Sequence, residues 1–260
     1  MALNLQDQAT RRMRRLVIAL VGVVVILGAL IVGLIAGNSS SKPDGGQGDG
    51  SAHRPPASAN PAPTETAGGG DDTGYVAPAK WVKLPDGGKK VDGFPVQFPH
   101  TEEGAMAMLV SSSRNAFSWD AQHVEKNIRT YMVDSSREQM ASAAAQGAQG
   151  VREHTGMPGT GPLPKGATLT AWPIGVQWTA KGADHVTGFV LVRLTTVPGT
   201  GQKAKTELIA LPGDAVWQGG DWRIQPTSPN DTPTAPEPAD LGADAFNVNG
   251  WMAIQEGDRR

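Results

Sequence analysis

The chain has 260 residues, with 23 Lys and Arg against 25 Asp and Glu, and its formal net charge of −2 disfavours a nucleic-acid clamp or a polyanion ligand. It has no cysteine, which excludes disulfides, thiol nucleophiles, zinc–thiolate sites and a lipidated N-terminal Cys. The 33 glycines and 20 prolines gather in a few stretches that cannot be core, so the remainder suits one ordinary domain.

Residues 1–15 form a basic tail, with Arg11, Arg12, Arg14 and Arg15 at its end. Leu16 to Ala36 follows without a charge or a hydrogen-bonding side chain. At about 21 residues it is long enough, as a helix, to cross roughly 30 Å of hydrocarbon. The next fifteen residues carry only Lys42, Asp44 and Asp49 as charges. That asymmetry predicts a single span over 16–36, with the tail in the cytoplasm and the rest outside the cell membrane. A cleaved signal peptide fits less well, because the apolar run is too long and the small-residue sites after it are poor. Ala29, Gly33 and Gly37 form a small-xxx-small face that suits helix packing, or ordinary glycine use in a membrane helix.

Residues 37–79 are rich in Pro, Gly and Ser and nearly free of aliphatic side chains, so they are read as a disordered tether. About 40 such residues reach roughly 35 Å. Folding is expected to begin at Trp81 and Val82, with Pro85 to Gly88 as a turn and Phe94 to Pro99 as an extended approach. Thr101 as N-cap and Glu102 and Glu103 in the first turn predict a helix over 102–116. Val124, Ile128, Tyr131 and Met132 give the clearest amphipathic spacing, predicting a second helix from Asp120. A third is predicted after Ser135, capped with Glu138 and continuous to about Val151.

Beyond the Gly/Pro loop 156–166 the period becomes that of strands: 168–179, 185–197, 205–216 and 222–225. These predict a four-stranded antiparallel meander whose last turn, Gly219-Gly220, brings Trp217 and Trp222 face to face. Residues 227–260 hold a Pro-rich segment and then Leu241, Phe246, Val248, Trp251, Met252 and Ile254 as a C-terminal docking segment. Helices followed by a curved meander define an α+β domain over 80–226, with three helices packed on four strands.

Two local pieces carry a resemblance: Phe94 to Ala105 (FPVQFPHTEEGA) and Val216 to Ile224 (VWQGGDWRI). The first looks like the approach to the first helix in extracytoplasmic proteins of Gram-positive conjugative elements. The second resembles the closing hairpin of NTF2-like domains. With the tail, span and tether, the layout resembles VirB8-like proteins of type IV secretion and conjugation systems, which have the NTF2-like cone. The tether is longer than theirs, and the tail after Pro226 has no counterpart. The resemblance implies a scaffold without catalysis, whose partners are other cell-envelope proteins of a transfer complex. A homo-oligomer is compatible with it. Mce-associated proteins of lipid-import systems share the anchor-plus-domain plan and give the competing reading.

NTF2-like cones also house enzymes with His and Asp as acid and base, for which His100, His123, His154 and His185, with Asp120, Asp134 and Asp184, are the candidates. Capping accounts for Asp120, and loop or surface positions account for the histidines, so no catalytic residue is assigned. The H-E-x-x-H, Walker, G-x-S-x-G and EF-hand patterns do not occur. Asp71-Asp72 and Glu102-Glu103 are isolated acid pairs. No cofactor or metal site is assigned. Trp172, Trp178, Trp217 and Trp222 are read as sheet packing rather than a pocket, and Arg114, Arg129, Arg137 and Arg152 as a solvated surface rather than one basic face.

Overall fold

The computed structural model describes residues 74–227 and 233–255. The predicted span at 16–36 and the tether to 73 lie outside the described residues. Among the described residues, no helix is long and apolar enough to cross a membrane.

Three short strands come first: β1 (Trp81–Val82), β2 (Lys89–Val91) and β3 (Phe94–Val96). The last two form a hairpin whose Asp92-Gly93 turn has positive φ at both residues, 51° and 89°. Helix α1 (Glu102–Ala116) begins where the sequence placed it, with the Thr101 hydroxyl accepting from the Gly104 N–H. Helix α2 (Ala121–Tyr131) is capped by Asp120, which accepts from the Gln122 N–H.

The third helix departs from expectation. It divides at Ala143 into α3 (Asp134–Ser142) and α4 (Ala144–His154), so four helices precede the meander. Ser135 does not cap it: Val133 stands at the N-cap, and Glu138 is drawn away to Arg129 at 2.6 Å. The break is tertiary in origin. Ala144 and Ala148 seat against Val124 and Ile128 of α2, while the Val133 N–H is held by the Ile224 carbonyl. A straight helix cannot meet both constraints, and an alanine-rich segment carries no local signal of the bend.

Strands β4 (Thr168–Gly182), β5 (His185–Val197), β6 (Lys205–Gln218) and β7 (Asp221–Ile224) form the antiparallel meander. Gly219 and Gly220, at φ 63° and 81°, close the β6–β7 turn and set Trp217 opposite Trp222. The sheet is larger than four strands. Helix α5 (Asp244–Val248) leads to β8 (Met252–Ile254), which pairs antiparallel with β4 and parallel with β1, giving the order β1-β8-β4-β5-β6-β7. Bulges in β4 between Pro173 and Gly175 and between Ala180 and Gly182 bend the strand.

Helix α1 lies against the inner face. Gly188 and Gly213, cross-strand partners in β5 and β6, make room for it: a Cβ on Gly188 would stand 3.0 Å from the Met106 sulfur, and one on Gly213 2.7 Å from Leu109. Met106, Leu109, Tyr131, Val190, Leu194 and Trp222 belong to the core that fills this side. On the outer face Ile174 and Leu191 are covered by Ala239, Phe246 and Trp251, so the C-terminal segment completes a second core. Residues 74–79, expected within the tether, instead pack on that segment: the Val76 N–H donates to the Gly242 carbonyl and the Ala79 N–H to Asn247. These hydrogen-bond partners lie 166 and 168 residues away, beyond the reach of a compositional reading.

Asp221, 4% exposed, joins the hairpin to the start of α1. Its carboxylate accepts from the backbone N–H groups of Gln97 (2.8 Å), Phe98 (3.0 Å) and Trp222 (2.9 Å), and from Arg223 at 3.0 Å. Replacing Asp221 with Ala strands these buried donors. The full chain in detergent should lose about 2–4 kcal/mol of stability, read by urea unfolding followed through tryptophan fluorescence; an unchanged midpoint would refute the clamp.

Candidate functional site

The four described histidines are paired, and none with an adjacent residue. His100 stacks on Trp217, with ring centroids 4.0 Å apart and planes at 12°, and its Nε2 meets Asp184 at 2.7 Å. His185 turns away from the adjacent Asp184 to Asp214, at 2.5 Å. His154 meets Glu207 at 2.7 Å. His123 contacts Asn115 at 3.2 Å and packs near Phe94, while Asp120 serves the α2 cap and Asp134 pairs with Arg137. Among the described residues, no cluster of three His, Asp or Glu side chains has metal-site geometry.

The tryptophans divide between packing and anchoring. Trp222 is fully buried and donates its Nε1–H to the Pro99 carbonyl at 2.9 Å. Trp178 donates to Glu102, and Trp172 lies under the Arg114 guanidinium at 5.2 Å. The four helix arginines form no single basic face. Arg129 bridges Glu125 and Glu138, Arg137 holds Asp134, Arg114 covers Trp172, and Arg152 is turned inward onto backbone.

Arg152 lines an open groove of about 850 Å³ between the α1–α2 connection, α4 and the loop leading into β4. Phe117, Trp119, Ala145, Ala148, Leu163 and Leu169 give it apolar walls, and Asp120, Gln149 and Arg152 add polar groups. No histidine lines it, so none of the three His–carboxylate pairs faces it. The Arg152 guanidinium donates to the carbonyls of Trp119 (3.2 Å), Pro158 (3.3 Å) and Gly161 (2.8 Å), tying one wall to the other. Trp119 is fixed in addition by its Nε1–H to the Thr155 hydroxyl at 2.9 Å. A smaller recess of about 280 Å³ between α2 and the α3–α4 junction shares Ala121 and Ala145 with it.

Its lining thus combines apolar side chains with the polar groups of Asp120, Gln149 and Arg152, and Arg152 braces the walls in place. Sequence reading assigned Arg152 to a solvated surface and left Trp119 and Leu163 unremarked. The Gly/Pro composition of 156–166 signals a loop but not the carbonyls that Arg152 collects.

No protein-family model matches the chain, and no curated protein matches it. Among solved structures, the intermembrane space region of the chloroplast protein ARC6 aligns at 10% identity and a TM-score of 0.29, over 47% of this chain and 88% of that one. A likeness at that score carries no argument. The fold is α+β, a sheet with several helices.

In the inner-face core, the buried Tyr131 hydroxyl bonds to Ser111 and to the Pro95 carbonyl, both at 2.9 Å. Burial pushes its phenol up to about 12, against the opposing effect of Ser111. The folded state therefore favours the protonated form. Its contribution is complete below pH 10 and is lost as pH rises toward 12, by about 2–3 kcal/mol. Absorbance titration of the full chain should show a tyrosinate transition near pH 12 that is missing from Tyr131→Phe.

Proposed function

We propose that this chain is a membrane-anchored scaffold of the VirB8-like type, with an extracytoplasmic NTF2-like cone that binds other envelope proteins of a conjugative transfer apparatus. The observation that carries this reading is the contrast between the filled inner face of the sheet and the open, apolar-walled groove beside it. A cone filled by Met106, Leu109, Tyr131 and Trp222 leaves its interior to packing, and a preformed groove on the rim offers a surface to a protein. The order of helices and then meander supports the NTF2-like reading. The uncharged run at 16–36, preceded by four arginines, supports a single span with the domain outside.

Crosslinking of the tagged full-length chain in cells, followed by identification of captured proteins, tests the reading. Conjugation ATPase or channel subunits are the expected catch. Ala145→Arg fills the groove from an exposed position and should lower that capture at least tenfold while leaving the far-UV spectrum unchanged. Capture of lipid-import components instead would replace this reading with the Mce-type accessory, and capture of nothing would overturn the scaffold. Protease added to intact protoplasts should remove the domain and spare the anchor; full protection would reverse the orientation.

A further inference from the structure

Strand β6 runs from Lys205 to Gln218, yet β7 pairs only with Ala215 to Gln218. Before Asp214, whose carbonyl still meets the Gln225 N–H beyond β7, the strand has a partner on one side alone, β5. Which backbone groups face the empty side follows from three observations. The Asp214 carbonyl accepts from the Gln225 N–H on the β7 side, whereas the Trp217 N–H turns the opposite way, to Asp184 beside β5. Even-numbered residues of β6 therefore direct their N–H and C=O outward. Pro212, which has no N–H, occupies such an even position, where the loss costs no ladder bond. Thr206, Leu208 and Ala210 consequently present their N–H and C=O groups along a free edge, and among the described residues no hydrogen bond reaches these groups. Thr206 is exposed, and Leu208 and Ala210 are half-buried.

A bare edge of this kind is a template for strand addition. Its charges suit self-pairing: Lys205 is exposed, and Glu207 meets His154 of its own chain through Oε1, which leaves Oε2 for a cation of the second copy. Lys205 and Glu207 lie two residues apart and so on one face of the strand. In an antiparallel pair centred on Thr206, Lys205 of each copy stands opposite Glu207 of the other, Thr206 faces its own symmetry mate, and Leu208 faces Ala204. The two-fold axis repeats the attraction on both sides of the centre. Pro212 bounds the run, because it can offer no N–H to a longer partner.

We propose that the β6 edge is a self-association surface at which a second copy of this chain pairs antiparallel about Thr206, joining two sheets into one. This stands independently of the groove and of the functional reading above. The chain has no native cysteine, so Thr206→Cys in the full-length protein supplies a unique thiol, and a short bismaleimide in native membranes should join two copies. Lys205→Glu opposes like charges and should weaken dimerisation about tenfold in detergent by sedimentation; Glu207→Lys should do the same, and His154→Gln, which removes only the intrachain contact to Glu207, should leave the dimer intact. Two complementary results distinguish the register from a general charge effect: the double variant K205E/E207K should restore dimers, and mixing the two single variants should give heterodimers. Leu208→Pro removes an outward N–H that the fold does not use, so it should abolish the dimer with little change in the unfolding midpoint. A monomeric full chain, a T206C crosslink insensitive to both K205E and L208P, or crosslinking of T206C only to a different polypeptide would overturn the proposal.

Discussion

A buried carboxylate is costly unless its oxygens are fully engaged, and Asp221 meets that demand with backbone groups from two distant parts of the chain. The N–H groups of Gln97 and Phe98 come from 124 and 123 residues away, that of Trp222 from the next residue, and Arg223 supplies the counter-charge. The approach to α1 and the closing hairpin are thereby one unit. Gln97 accepts a φ of 62°, unusual for a side-chain-bearing residue, because its N–H is captured there. The Pro99 carbonyl is then set between the Trp222 indole and the start of α1, so close that a Cβ on Gly104 would lie 1.9 Å from it. Glycine at 104 is required by that approach rather than by backbone angle.

With α1 seated, the sheet is divided into two unlike faces. The inner one is filled by helix side chains entering the space left by Gly188 and Gly213. The outer one is closed only when the C-terminal segment returns, puts β8 against β4 and receives residues 74–82 along its far side. Segments from opposite ends of the described residues thus share one layer. At the margins lie the groove braced by Arg152 and the unpaired edge of β6.

The polar clusters obey the same economy. Each helix arginine and each of the four described histidines finds an anionic, carbonyl or aromatic partner. Asp120 beside His123 and Asp184 beside His185 read as local pairs, but neighbouring side chains on a helix start or a hairpin turn diverge, and the actual contacts are made across the fold. Residue type pointed to the players; partner choice depended on how strands and helices were brought together.

Local chemistry was enough to determine helix α1 with its Thr101 cap, α2 with its Asp120 cap, the four meander strands and the Gly219-Gly220 turn, because periodicity, capping and turn preference act within a few residues. The division of the third helix at Ala143, the added strands β1 and β8, the attachment of residues 74–79 and the walls of the groove were decided by tertiary structure. Each of these depends on contacts between residues far apart in the chain, and alanine-rich or Pro/Gly-rich segments carry too little side-chain information to announce such contacts in advance.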